Sequence, residues 1–231
     1  MAAQNLLLLP GMMCDSRQWA PQVQDISLPI FHADTSSANN FVDMAAAVLA
    51  QAPAKFAIAG LSMGGILAFE IWRQAPDRVT HLALLDTNPH AESAERQTLR
   101  LEEIKTAAAG GLREMAIESL KPLYLAKAHL NDDALLNTIL DMAMDLGPDV
   151  FRTQSLALRN RVDSVQTLVT ISCPTLVMCG DEDLLCPVAY HDLMAAKIPN
   201  ANLQIIDNCG HLSTLEQPQV VSDGLVKLLA Q

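Results

Sequence analysis

The stretch KFAIAGLSMGGILAF, residues 55–69, passes from an apolar run through a serine flanked by glycines into a helical pattern. Ser62 lies between Gly60 and Gly64. A serine at a sharp turn from strand to helix is held with its hydroxyl clear of the sheet, and small neighbours let the strand and helix approach closely. The helix predicted from about Met63 points its N-terminus at the same place, where a backbone N–H can stabilise an oxyanion. The stretch therefore predicts a nucleophilic Ser62, with the Met63 N–H as one oxyanion donor.

Short apolar runs, each closed by a loop and followed by an amphipathic segment, recur on both sides of this stretch. Such alternation is typical of parallel strands that alternate with helices. The predicted strands cover residues 5–9, 29–33, 55–59, 79–86, 174–179 and 202–207. The fold class is therefore α/β, with a doubly wound and mostly parallel sheet of about six strands.

One long stretch, residues 88–165, interrupts this alternation. It contains no strand-like run and has the pattern of several helices separated by glycine, proline and asparagine. We expect residues 1–87 and 166–231 to form the core, with residues 88–165 as a helical insertion between two strands.

Composition limits the possible partners. The 231 residues are 50% hydrophobic, which is enough for one core plus an insertion. The net charge of -11 argues against a nucleic-acid or anionic-membrane partner, because both need a cationic surface. The segment MAAQNLLLLPG has no basic region, and its apolar run is too short for a signal peptide or a membrane span. We therefore expect a soluble, cytoplasmic protein.

The cysteines favour a reducing compartment. They are odd in number and form no CxxC pair, which indicates reduced thiols that pack as small hydrophobic residues. They and the six histidines show no metal-ligand spacing, so no metal site is predicted. The cysteines are Cys14, Cys173, Cys179, Cys186 and Cys209.

A serine nucleophile needs a general base that is itself oriented by a carboxylate. The run PTLVMCGDEDLLCPV ends a predicted strand and offers Asp181 and Asp183 on the following loop. The run LQIIDNCGHLSTLEQP presents His211 just after the last predicted strand. The chain order Ser62, Asp183, His211 is the order of nucleophile, acid and base expected for this topology.

Four segments, in this order, resemble the α/β-hydrolase family and in particular its small lid-bearing serine hydrolases, such as carboxylesterases. They are LLLLPG at 6–11, GLSMGG at 60–65, GDEDLLCP at 180–187 and GHLSTLEQP at 210–218. The resemblance implies that Ser62 is the nucleophile and His211 the general base and acid. Its pattern G-x-x-D-x-x-x-P favours Asp183 over Asp181 as the acid, and Asp86, at the end of an earlier predicted strand, is the third choice.

The resemblance also concerns the oxyanion site and the start of the chain. It implies that the backbone N–H of Met12 is the second oxyanion donor, beside that of Met63. The family commonly has a His-Gly pair where this chain has Pro10 and Gly11. Members commonly open with two further strands, so we expect a sheet that lacks them.

The resemblance further implies that residues 88–165 form a lid over the serine and decide which substrate is accepted. Arg152 or Arg159 is a candidate for binding a substrate carboxylate, although a solvated helix face is the favoured interpretation. Five apolar residues are candidates for an acyl pocket, and packing within the insertion is the favoured interpretation for most of them. They are Met115, Leu120, Tyr124, Met142 and Met144.

The predicted reaction is hydrolysis of a small carboxylic ester or thioester through an acyl-enzyme on Ser62. It needs no metal or organic cofactor, and its partner is a small-molecule substrate; the oligomeric state is left open. Two alternatives use the same residues. One is hydrolysis or elimination at a carbon–carbon bond of a carboxylate substrate, and the other is a ligand receptor or signalling protein with a slow triad.

Overall fold

The computed structural model describes residues 3–231, with residues 119–122 described by their backbone alone. Its strands are β1 Leu6–Leu9, β2 Ile30–His32, β3 Phe56–Leu61, β4 Val79–Leu85, β5 Thr175–Gly180 and β6 Ala201–Ile206. They form one six-stranded sheet in the order β2-β1-β3-β4-β5-β6, and every neighbouring pair is parallel. The predicted α/β class and six-stranded sheet are confirmed, because each predicted strand overlaps an observed one.

The central strands are apolar at nearly every position because helices cover both faces of the sheet. In β3 all six residues are buried. Phe56 and Ile58 belong to the core on one face, and Ala57, Ala59 and Leu61 belong to the core on the other. Successive side chains of a strand point to opposite faces, so one continuous apolar run serves two cores.

Eleven α-helical segments are assigned within residues 3–231. They are α1 Ala20–Asp25, α2 Phe41–Gln51, α3 Met63–Gln74, α4 Ala94–Thr106, α5 Leu112–Met115, α6 Lys121–Tyr124, α7 Asp133–Arg159, α8 Val165–Leu168, α9 Val188–Lys197, α10 Ser213–Glu216 and α11 Pro218–Leu229. Helices α2, α3 and α9 supply residues to the core that contains Phe56, and α11 supplies residues to the opposite core. The sheet is therefore covered on both faces, as a doubly wound fold requires.

The connection from β4 to β5 contains helices and turns but no strand in the described part of the chain. Helix α4 packs against α7, and a short core between them includes Ala107, Leu112 and Phe151. Helix α7 bends at Gly147, where φ is 75°, and Pro148 follows. This bend lets the two halves of α7 run in different directions.

The parallel arrangement brings the carboxyl ends of all six strands to one edge of the sheet. The loops after β1, β3, β4, β5 and β6 therefore begin beside one another, and in open α/β sheets this edge is where ligands bind. Over residues 3–231, none of the helices combines the length and the apolar character that crossing a bilayer requires.

Candidate active site

The turn between β3 and α3 holds Ser62 in a strained conformation. Its φ is 53° and its ψ is -114°, a backbone region that residues other than glycine rarely adopt. The Ser62 N–H donates to Leu85 O at 2.9 Å, and Ser62 O accepts from Thr87 Oγ1 at 2.7 Å. A Cβ on Gly64 would overlap Leu9 O, so only glycine lets α3 lie this close to β1. The surrounding backbone thus fixes the position of the Ser62 hydroxyl.

His211 joins Ser62 to Asp183 through two hydrogen bonds. His211 Nε2 lies 2.8 Å from Ser62 Oγ, and His211 Nδ1 lies 2.9 Å from Asp183 Oδ2. An ionised carboxylate only accepts, so Nδ1 donates to Asp183 and the neutral ring leaves Nε2 to accept the Ser62 proton. The other oxygen, Asp183 Oδ1, accepts the backbone N–H groups of Leu185 and Cys186 at 2.8 and 2.9 Å. The structure therefore brings together the three residues predicted for nucleophile, acid and base.

The two other carboxylates considered for the acid make different contacts. Asp181 Oδ1 accepts the backbone N–H of Cys209 at 3.3 Å. Asp86 is fully buried and accepts from the Gly180 N–H at 3.1 Å and from Ser213 Oγ at 2.5 Å. Burial and the charge of Asp183 raise the pKa of Asp86 to about 8. Asp86 thus ties the loop after β5 to the loop that carries the histidine.

The surroundings of His211 favour its protonated form. Burial by itself lowers the pKa of the imidazole, but Asp183, Asp86 and Glu216 outweigh burial and raise that pKa above 6.5. His211 is 4% exposed. A proton taken from the serine would therefore be held by a base whose positive charge is already stabilised.

Glu216, which the sequence did not single out, binds the backbone around the histidine. Its Oε1 accepts from the N–H groups of Gly210 at 2.9 Å and Leu212 at 3.3 Å. Its Oε2 accepts from the Ala126 N–H at 2.7 Å and lies 3.0 Å from His129 Nδ1. A carboxylate that accepts several N–H groups is strongly held, so this residue fixes the loop after β6 against the segment after α6.

Met12 lies in the loop after β1, and the N–H groups of the residues on either side of it both have hydrogen-bond acceptors. The Gly11 N–H donates to Gln18 Oε1 and the Met13 N–H donates to Gln154 Oε1, both at 2.8 Å and both buried. Among residues 3–231, leaving aside the side chains of 119–122, no protein group accepts from the N–H of Met12 or Met63. The two predicted oxyanion donors are thus without a partner in the described part of the chain. No motif in the sequence had indicated a role for either glutamine.

A cavity of about 560 Å³ lies over Ser62, with Met12 and His211 in its wall. The Tyr124 ring stacks on the His211 ring with centroids 6.0 Å apart. An adjoining cavity of about 220 Å³ also includes Met12 and Tyr124 and has a mostly apolar lining. Of the five apolar candidates for an acyl pocket, Tyr124 lines both cavities. The three methionines, Met115, Met142 and Met144, belong to packed cores. The Leu120 side chain lies outside the described residues.

The arginines that line the large cavity differ from the two that the sequence suggested. Arg152 is exposed, and Arg159 Nε donates to the backbone O of Gln97. The arginines in the cavity wall are Arg96, Arg100 and Arg161. Nothing in the sequence distinguished the arginines that line the cavity from the other arginines of the insertion.

In the part of the chain that the structure describes, one group of side chains has atoms close enough to share a metal ion. Asp183, Cys186 and His211 each offer one ligand atom, and these atoms lie within 4.8 Å of one another. The Asp183 and His211 atoms already hydrogen-bond to each other, and burial holds the pKa of the Cys186 thiol well above its ordinary value. All five cysteines are buried and free. A thiolate ligand is therefore disfavoured here.

The sheet and its strained serine turn define the class of α/β hydrolases. Residues 6–223 match the model of the alpha/beta hydrolase family, and the chain belongs to that family. Because esterase-named proteins are among its relatives, the chain is identified as an enzyme of the hydrolase class.

The chain is 26% identical to two proteins named pimeloyl-[acyl-carrier protein] methyl ester esterase. The match to that of Nitrosomonas europaea covers 93% of this chain and 91% of the relative, and the match to that of Aliivibrio salmonicida covers 90% and 85%. It is also 26% identical to the biotin biosynthesis bifunctional protein BioHC of Cellvibrio japonicus, of which it spans 45%.

Among solved structures, the chain is similar to a malate-bound thermophilic esterase from Thermogutta terrifontis. The TM-score is 0.90 at 26% identity, and the match covers 99% of this chain and 90% of the esterase. MenH from S. aureus has the same fold, with a TM-score of 0.86 at 19% identity over 99% of this chain and 94% of MenH.

Proposed function

We propose that the chain is a serine hydrolase that cleaves a small carboxylic ester or thioester through an acyl-enzyme on Ser62. The observation that carries the proposal is the hydrogen-bonded series from Asp183 through His211 to Ser62, with distances of 2.9 and 2.8 Å. The 2.8 Å distance from His211 Nε2 to Ser62 Oγ is within the range that proton transfer from a nucleophile to its base requires, and the 2.9 Å contact with Asp183 orients that base.

In the first half-reaction, Ser62 Oγ attacks the carbonyl carbon of the ester while His211 Nε2 takes the hydroxyl proton. The tetrahedral intermediate carries its negative charge on the former carbonyl oxygen, which we assign to the N–H groups of Met12 and Met63. The intermediate then collapses, the bond to the alcohol or thiol breaks, and His211 returns the proton to this leaving group. The acyl group remains on Ser62.

In the second half-reaction, water enters the site and His211 takes one of its protons as the oxygen attacks the acyl carbon. The second tetrahedral intermediate releases the carboxylic acid, and the proton returns to Ser62 Oγ. Asp183 keeps the imidazole oriented and stabilises its positive charge in both steps. No step requires a metal or an organic cofactor.

We assign the role of a lid to the helices between β4 and β5, residues 88–165. Phe151 and Leu158 of α7 and Arg100 of α4 supply part of the cavity wall, which supports this role. The mostly apolar lining of the adjoining cavity supports an apolar portion in the substrate. The free thiols of all five cysteines support a reducing, cytoplasmic location.

The proposal is tested with nitrophenyl esters from acetate to decanoate on wild type and Ser62→Ala. We expect the variant to lose on the order of 10³-fold or more in kcat. Ser172→Ala, which removes an exposed hydroxyl, is the matched control and is expected to stay within about twofold. A fluorophosphonate probe mapped by mass spectrometry should modify Ser62.

The two alternative functions give other results in the same experiment. A Ser62 that reacts with the probe while no ester is hydrolysed would favour cleavage of a carbon–carbon bond. A ligand receptor would show negligible turnover together with a ligand-dependent rise in Tm. A Ser62→Ala variant as active as wild type would refute the assignment of the nucleophile.

A further inference from the structure

Two buried arginines share one carboxylate in the wall of the large cavity. Arg100 Nε donates to Glu92 Oε2 at 2.5 Å, and Arg161 Nη1 donates to the same oxygen at 2.8 Å. The side chains of Arg100, Arg161 and Glu92 are 9%, 5% and 8% exposed. All three line the cavity that contains Ser62.

The charges around this group do not cancel. Arg96, which also lines the cavity, makes two hydrogen bonds to Glu103, at 2.7 and 3.1 Å, and forms a neutral pair. Burial raises the pKa of Glu92, but Arg100 and Arg161 outweigh burial and lower it, so Glu92 is ionised at neutral pH. Two guanidinium groups then face one carboxylate, and one positive charge is left uncompensated. A buried charge without a partner is costly, so the site favours an anion.

The same arginines keep donors free for such an anion. A guanidinium has five N–H donors. Arg161 uses Nε for the His90 backbone O, and its Nη1 also contacts the Leu158 backbone O. Within residues 3–231, side chains of 119–122 aside, neither Nη2 has a hydrogen-bond acceptor, and Arg100 Nη1 contacts only Met12 Sδ at 3.8 Å. A thioether is a weak acceptor, so these donors remain available to a ligand.

We propose that Arg100 and Arg161 bind a carboxylate of the substrate, so that the preferred ester carries a carboxylate in addition to its ester group. The inference rests on the hydrolase function proposed above. The planar guanidinium suits a carboxylate, whose two oxygens accept parallel N–H groups. One uncompensated positive charge matches a singly charged carboxylate better than a doubly charged phosphate. Arg100 and Arg161 are thus specificity-determining residues that act away from the reacting bond.

The test compares paired substrates that differ in one carboxylate. Monomethyl esters of linear dicarboxylic acids, from succinate to suberate, are paired with methyl esters of monocarboxylic acids of equal chain length. Chromatography measures the acid released. For at least one chain length we expect wild type to favour the carboxylate ester by about 10- to 100-fold in kcat/KM, the range of charge-assisted hydrogen bonds.

The variants Arg100→Gln and Arg161→Gln should each lose at least tenfold more kcat/KM on the carboxylate ester than on its neutral partner. Arg159→Gln, an arginine of α7 bonded to a backbone carbonyl, is the matched control and should keep the wild-type preference. Circular dichroism and Tm check that each variant folds. Equal losses on both members of a pair would overturn the assignment.

A binding measurement separates this inference from the proposed function. Titration calorimetry of Ser62→Ala with adipate should show binding that weakens about tenfold or more in Ser62→Ala combined with Arg100→Gln. Inorganic phosphate that binds more tightly than adipate would overturn the choice of carboxylate. The enzyme could instead hydrolyse neutral esters through Ser62, show no preference for carboxylate esters and fail to bind adipate. That result would overturn the inference about the arginines and leave the proposed hydrolase function in place. Adipate binding by an enzyme that hydrolyses neither ester and resists the fluorophosphonate would reject the hydrolase instead.

Discussion

Glu216 holds the backbone on both sides of His211. One of its carboxylate oxygens accepts the N–H groups of Gly210 and Leu212, the two neighbours of the histidine. The other oxygen accepts the Ala126 N–H. The His211 N–H itself donates to Tyr124 O at 2.8 Å. One buried carboxylate and one backbone hydrogen bond therefore hold the histidine loop to the end of α6 and the residues just after it.

Glu216→Gln should weaken both the fold and the activity. The amide keeps one acceptor oxygen, and its NH₂ group faces backbone donors, so one or two buried N–H groups lose their partner at about 1–3 kcal/mol each. We expect the free energy of unfolding in urea to fall by about 2 kcal/mol and kcat to fall about tenfold. Glu102→Gln, whose side chain is 62% exposed, is the control and should change neither. Equal effects of the two substitutions would contradict this role of Glu216.

Asp183→Asn should reduce kcat by about 10³- to 10⁴-fold, because the amide no longer selects the productive imidazole tautomer. The residual activity should also change its pH dependence. The reaction needs neutral His211, so kcat/KM falls as the pH drops through the His211 pKa, which Asp183 helps to raise. Without that charge, the acidic limb should move to lower pH. Asp181→Asn is the matched control, and a larger loss in that variant would move the acid to Asp181.

Gln154→Leu should lower kcat by about tenfold with little change in KM. The substitution removes the acceptor of the Met13 N–H, and the loop that positions the adjacent Met12 N–H loses a buried support. Steady-state kinetics on a nitrophenyl ester would measure both constants. Gln219→Leu, at an exposed site on α11, should match wild type. An increase in KM with unchanged kcat would assign Gln154 to substrate binding instead.

Asp86 should make the stability of the protein fall as pH rises. Its pKa is about 8 in the folded state against an ordinary value of 3.8, so the folded protein binds this proton more tightly than the unfolded chain does. The resulting stability is fully present below about pH 4 and is lost as the pH rises to about 8. Urea unfolding between pH 5 and 8 should therefore show a steeper decline for wild type than for Asp86→Asn. If the free energy of unfolding fell equally with pH in wild type and in Asp86→Asn, Asp86 would be ionised over the whole range from pH 5 to 8.

The sheet could be predicted because its signal is local. Each central strand is a continuous apolar run, and Gly60 leaves room for the backbone of Gly64 and Gly65 just after it in the chain. The supports of the site could not be predicted in this way. Gln154 lies 141 residues from the N–H that it accepts, and Glu216 lies 90 residues from Ala126. The sequence does not distinguish these two residues from other glutamines and glutamates, because only the folded chain shows which backbone N–H group each of them accepts.

The arginines illustrate a second limit. The sequence predicted several helices in the insertion, and these helices bend at Gly110 and Gly147, where φ is positive. A helical pattern in the sequence does not show how the chain turns at such a glycine. Arg152 and Arg159 were candidates by residue type, with a solvated helix face as the favoured interpretation, whereas the arginines that line the cavity are Arg96, Arg100 and Arg161.

The bond from Glu216 to Ala126 also restricts how molecules enter and leave. A movement that carried residues 124–126 away from the sheet would pull on the loop that presents His211 and separate this base from Ser62. A substrate therefore cannot pass beside residues 124–126 at the same time as its ester bond is cleaved. A substrate route that leaves residues 124–126 in place would keep His211 beside Ser62, and Leu184, which also lines the cavity, is 66% exposed.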